Sequence, residues 1–191
     1  MRSLILALAA SLAIASPAVA EDPAPAPLSP AQHRADSLDR LFASLHRDSD
    51  GPAAARIEKN IWDLWMSSDS PTAEVLLRQA SKAMDEGAPA EALKILDTLI
   101  DAHPDFAEAW NRRATLYFLM KDYDRSLADI ERVLELEPRH FGALAGRGMI
   151  YQRQKNYTAA IDAFREALRM NPAMEGPKAA LKELERLEQS I

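Results

Sequence analysis

Residues 104–138 read P-D-F-A-E-A-W-N-R-R-A-T-L-Y-F-L-M-K-D-Y-D-R-S-L-A-D-I-E-R-V-L-E-L-E-P, and this stretch decides the fold. Trp110, Ala114 and Tyr117 follow helical spacing, and so do Ser126, Ile130 and Val133. Lys121-Asp122 separates the two patterns. Proline closes the stretch because it cannot continue a helical hydrogen-bond ladder. The same layout recurs on both sides. Pro104, Pro138 and Pro172 are 34 residues apart. Counting units from residues 73, 107 and 141, the fourth position holds Leu76, Trp110 and Leu144. The eighth holds Ala80, Ala114 and Gly148, and the eleventh holds Ala83, Tyr117 and Tyr151. The twentieth holds Ala92, Ser126 and Ala160, the twenty-fourth Leu96, Ile130 and Phe164, and the twenty-seventh Leu99, Val133 and Ala167.

Small side chains at the eighth and twentieth positions let two helices approach closely. Large ones at the fourth, eleventh and twenty-fourth fill the space around that contact. One such unit leaves an apolar face uncovered, so neighbours must stack. The pattern resembles the tetratricopeptide repeat, a helix–turn–helix unit of this period. The expected fold is therefore all-α: a helical solenoid with repeats at 73–106, 107–140 and 141–174. Two stretches, Trp110 to Thr115 and Leu136 to Gly146, are also similar to a recurring group of bacterial tetratricopeptide proteins that often carry signal peptides. That likeness carries a family and no activity.

The flanks complete the layout. Pro177 to Gln189 carries Ala180, Leu181, Leu184 and Leu187 on one stripe, with Lys and Glu elsewhere. Residues 175–191 are expected to form a capping helix with a polar outer face. On the other side, Leu38, Leu41, Phe42 and Leu45 share one helical face, as do Ile57, Ile61, Leu64 and Trp65. Residues 36–70 are expected to be a helical pair capping the first unit, and possible as a degenerate repeat, with Trp62 at its twenty-fourth position. Ser70-Pro71 is a strong helix start. Asp48-Ser49-Asp50-Gly51 reads as an inter-helix turn, because His46 and Ile57 stand where a calcium loop needs acids.

Residues 21–35 hold a Pro/Ala-rich stretch expected to be a disordered linker. Before it, Arg2, the apolar run Leu4 to Ala15 and the small residues Ala18 and Ala20 make the three parts of a signal peptide over residues 1–20. Cleavage is expected after Ala20, with a periplasmic location and no membrane span in the mature chain.

The formal charge is −6, which argues against nucleic acid as a partner. With no cysteine there is no disulfide, thiol nucleophile or thiolate metal site. His33, His46, His103 and His140 show no metal-binding spacing, so neither metal nor cofactor is expected. No nucleophile elbow or phosphate loop is present, and the expectation is no enzyme.

The family resemblance implies a concave groove lined by the second, fifth, ninth, twelfth and thirteenth positions of each unit. These are Glu74, Leu77, Ser81, Met84 and Asp85 in the first unit, then Glu108, Asn111, Thr115, Phe118 and Leu119, then Gly142, Ala145, Met149, Gln152 and Arg153. The carboxylate clamp known in part of the family is missing: Leu77, Ser81, Gly142 and Gly146 occupy its places. Partner contacts are expected from Asn111, Arg112, Thr115, Phe118, Arg139, His140, Met149 and Gln152, with Arg112, Arg139 and His140 as an anion-receptive edge. Arg113 at the seventh position is expected to pair with Asp129, because a cation at a packing position needs an acid.

The expected function is a non-enzymatic protein-interaction scaffold that binds a protein or peptide segment in its groove. Alternatives are a structural subunit self-associating through Trp62 and Trp65 of the 36–67 helices, or an accessory of cell-wall enzymes.

Overall fold

The computed structural model describes residues 28–188. The expected signal peptide, and the linker up to residue 27, lie outside the described residues. Nine helices are found among the described residues: α1 (Pro30–Arg47), α2 (Gly51–Met66), α3 (Pro71–Asp85), α4 (Pro89–Ala102), α5 (Ala107–Leu119), α6 (Tyr123–Leu136), α7 (Phe141–Arg153), α8 (Tyr157–Met170) and α9 (Glu175–Glu188). No strand occurs among these residues.

Proline occupies the first turn of α1, α2, α3 and α4, where its missing N–H costs nothing. The expected linker therefore ends earlier than residue 35. Ser29 caps α1 reciprocally with Gln32, and the helix begins at Pro30. Asp122 and Asn156 accept backbone N–H groups at the starts of α6 and α8. Within the units, the turn between helices uses a left-handed residue: Gly87 at φ 71°, Lys121 at 61° and Lys155 at 61°.

The pairs α3/α4, α5/α6 and α7/α8 pack as antiparallel hairpins, and α4 on α5 and α6 on α7 join them into a stack. Gly148 shows why the eighth position is small. A Cβ there would lie 2.7 Å from the Phe164 ring. Ser126 at the twentieth position donates its hydroxyl to Ala114 O at 2.7 Å, so this buried polar group is satisfied. Leu184 of α9 closes the far end against Ala160, Ile161 and Phe164.

The helical pair α1/α2 differs from the expected cap. It does not stack ahead of α3 as another repeat would. It lies across the units, and its core residues Leu38, Phe42, Leu45, Ala54, Ile61 and Trp65 bury together with Phe141 of α7. Its polar ties reach far along the chain. Arg34 pairs with Asp69, and Asp39 receives Arg139 at 2.6 Å. Glu58 accepts from Asn171 at 3.0 Å, and His46 Nε2 lies 2.8 Å from Arg169 O. Thus α1 runs from the first unit towards the third, and α2 returns. Trp62 and Trp65 are spent on this contact. Trp65 stacks on His140 at 4.1 Å, and Trp62 meets Phe141 edge-on at 5.4 Å. Of the two indoles that the self-association alternative invokes, Trp65 is buried and Trp62 half-buried in this contact.

Candidate protein-interaction groove

The first helices of the three units, α3, α5 and α7, wall the groove. Its lower half is filled by the chain itself. Asp63, Met66 and Ser67 of the α2 end face Glu74, Leu77 and Arg78 of α3. Further along, Trp62 sits where a side chain on Gly142 would be, with its Cη2 only 2.6 Å from an added Cβ. Glu108 beneath is fully buried. The second-position residues of all three units therefore meet α2 or lie beneath it.

The upper half, between the second and third units, stays open. A cavity of about 370 Å³ is lined by Asn111, Ala114, Thr115, Phe118, Leu119, Ser126, Ile130, Gly142, Ala143, Ala145, Gly146, Met149 and Met174. No charged side chain lines it. Leu119 is 63% exposed and Met149 43% exposed at its mouth, so the apolar surface extends beyond the cavity. Phe118 is braced by Tyr123, with ring centroids 5.8 Å apart. Gly146 leaves room, since an added Cβ would make only an ordinary contact, 3.6 Å from Ile130.

Of the residues expected at the site, the structure brings Asn111, Thr115, Phe118 and Met149 around this one cavity. Thr115 donates to Asn111 O at 2.9 Å, and Asn111 donates to Glu108 at 3.0 Å. Gln152 is half-buried and lies outside the lining. Ile130 and Met174 were not expected. Ile130 was assigned to the intra-unit contact, and Met174 has no periodic signal.

The anion-receptive edge is not formed, and this corrects the expectation for Arg112, Arg139 and His140. Arg112 Nε lies 2.8 Å from Glu108 Oε1, a charge contact without hydrogen-bond alignment. Arg139 donates to Glu137 at 3.0 Å and to Asp39 at 2.6 Å, and lies 4.7 Å over the Phe42 ring. Burial opposes its charge, but the bonds to Glu137 and Asp39 outweigh that and raise its pKa. His140 is fully buried. Its Nδ1 accepts from Ala143 N at 3.1 Å, so the ring hydrogen sits on Nε2 and is donated to Glu108 at 3.2 Å. Arg112, Arg139 and His140 are thus each engaged by a carboxylate of the chain itself.

Arg113 donates through Nε and Nη2 to both oxygens of Asp129, at 2.8 and 2.9 Å, and through Nη1 to Asp97 at 2.7 Å. The Asp129 bonds do most to hold its guanidinium charged; burial opposes this, and Asp97 adds to it. Arg147 at the same position of the next unit pairs with Glu166.

The comparisons with known proteins agree with this geometry. Two tetratricopeptide repeat models match residues 83–147 and 120–175. A TPR repeat-containing protein of Rhizobium etli is 43% identical over 136 residues, covering 71% of this chain and 67% of that protein. The chain belongs to the tetratricopeptide repeat family. The TPR region is also 35% identical over 98 residues to the SGT1 homologue of Bos taurus, where the match covers 51% of this chain and 29% of that protein. Among solved structures, the first TPR of Spaghetti (RPAP3), bound to an HSP90 peptide, superposes at a TM-score of 0.60 and 21% identity, covering 63% of this chain and 96% of that one. MamA superposes at 0.58 and 17% identity, covering 73% and 86%. Both share the TPR fold. The family's carboxylate clamp has no counterpart here: Leu77 is fully buried, and Gly142 is covered by Trp62.

Proposed function

We propose that this TPR protein is a non-enzymatic interaction module that receives an apolar or amphipathic segment of a partner protein in the open upper half of its groove. The uncharged cavity between the second and third units, with Leu119 and Met149 exposed at its mouth, carries this reading. Exposed apolar surface at a concave site is what partner segments cover. TPR neighbours such as the RPAP3 domain hold peptides, which supports a peptide-sized occupant here. The place of action we propose is the bacterial periplasm, reached through the leader that ends at Ala20.

A photo-crosslinking residue at Thr115, with another at outward-facing Glu131 as control, tests the site in living cells. Adducts at Thr115 that vanish when Gly146→Leu fills the cavity are expected. Equal labelling at both positions would refute the groove. Fractionation with mass measurement tests the location: a periplasmic species beginning at Glu21 is expected, and a full-length cytoplasmic one would refute it.

A further inference from the structure

The groove is also defined by its charges. The walls α5 and α7 contain a single acid between them, Glu108, which is buried and engaged by Arg112 and His140. Above the apolar mouth the surface turns basic. Arg153 lies one turn beyond Met149 on the same face of α7. Lys121 and Lys155 occupy the left-handed turns that follow α5 and α7. All three are exposed, and among the described residues none has a side-chain partner. The adjacent Asp122 is already engaged by Arg125 at 2.6 Å, and the next acid, Asp124, lies inside the first turn of α6. At the first unit the same edge is acidic, with Asp85 and Glu86 before Gly87. A chain of net charge −6 thus keeps three unpaired cations beside this uncharged cavity.

The chain also shows what kind of element the groove accepts. In the lower half, α2 lies along the units as an amphipathic helix and wedges one aromatic side chain, Trp62, against Gly142. The open half continues the same walls, with Gly146 one turn further along α7.

Resting on the groove reading above, we infer that the occupant is an acidic amphipathic helix of a partner protein. A bulky apolar side chain enters the cavity beside Gly146, and carboxylates on the flanking turns meet Arg153, Lys121 and Lys155. These cations lie away from the clamp positions, so an internal helix satisfies them and no free C-terminus is needed. Opposite charge at the edge of an apolar site sets partner choice and association rate more than total affinity.

The test uses the full mature chain and two fluorescent helical peptides, both acetylated and amidated. They share one Leu/Phe stripe; one carries Glu on the flanks and the other Lys. Anisotropy should show the Glu peptide binding about tenfold more tightly at low salt, with the gap closing as ionic strength rises. Joint reversal of Lys121→Glu, Arg153→Glu and Lys155→Glu should invert the preference. Gly146→Leu, or Thr115→Tyr from the opposite wall, should abolish binding of both peptides while leaving the helical spectrum intact. Equal affinity for the two peptides, still lost in Gly146→Leu, would overturn the acidic partner and leave the groove reading standing. Binding of neither peptide, or binding indifferent to both cavity-filling variants, would overturn both. A dimer that Gly146→Leu dissociates would overturn the inference in favour of a second copy.

Discussion

Arg113 serves two acids, so the partners are not equal to lose. Asp129 is almost fully buried, whereas Asp97 is half exposed. Arg113→Leu strands the Asp129 carboxylate in the packing and should cost about 3 kcal/mol in urea unfolding. Asp129→Ala leaves the guanidinium held by Asp97 and should cost less, about 1–2 kcal/mol. Equal losses would show that Asp129 gains no protection from its arginine. The glycines of α7 divide in the same way. Gly146→Ala adds a methyl at ordinary contact distance and removes helical backbone freedom, so it should raise stability by about 0.5–1 kcal/mol. Gly148→Ala places its Cβ against the Phe164 ring and should lower stability by about 1–3 kcal/mol. Thermal melts of the two variants should therefore shift in opposite directions.

At the scale of elements, the turns carry a distinct strain. A lysine held at positive φ gives up about 1–2 kcal/mol that glycine does not. Lys121→Gly and Lys155→Gly should each recover about 1 kcal/mol, read as a higher denaturation midpoint with an unchanged slope, as Gly87 already does in the first unit. The start of α6 adds a pH dependence. The Arg125 side chain, and then its backbone amide, hold the Asp122 carboxyl below the usual carboxylate range. A depressed folded pKa means the cap stabilises at neutral pH and is lost as pH falls through that lowered value. Asp122→Asn should therefore lower stability at neutral pH and have little effect in strong acid. The helices of the three units were legible in the sequence because each depends on spacing inside one period: Pro104, Pro138 and Pro172 repeat with their neighbours. The seat of α1/α2 was not legible. It depends on Gly142 having no side chain and on the shape of Trp62, which a pattern of apolar residues does not encode. Half the candidate site was legible for the same reason. Asn111, Thr115, Phe118 and Met149 follow from repeat position, whereas the fate of Arg112, Arg139 and His140 depended on which carboxylates lay within reach.

For the whole molecule, α1/α2 is part of the core as well as a filler of the groove. Removing residues up to 70 would uncover Phe141 and His140, both fully buried, along with Leu77. The truncated repeats should bind an apolar dye and unfold at lower denaturant; an unchanged midpoint would mean the pair is a mere appendage. The ties of this pair also set a timetable. The contacts of α1 and α2 to Arg139, Asn171 and Arg169 span 100, 113 and 123 residues. Each repeat, by contrast, closes on partners within its own period and its neighbour's, and local contacts form fast. Although made before the repeats, α1 and α2 thus complete their docking only once the third unit has been made. Until His140 and Phe141 have been made, Phe42, Trp62 and Trp65 lack the rings of the repeats on which they pack. In refolding, fluorescence from Trp110 within the repeats should change before that from Trp62 and Trp65, and during synthesis those two indoles are what a holding chaperone would meet.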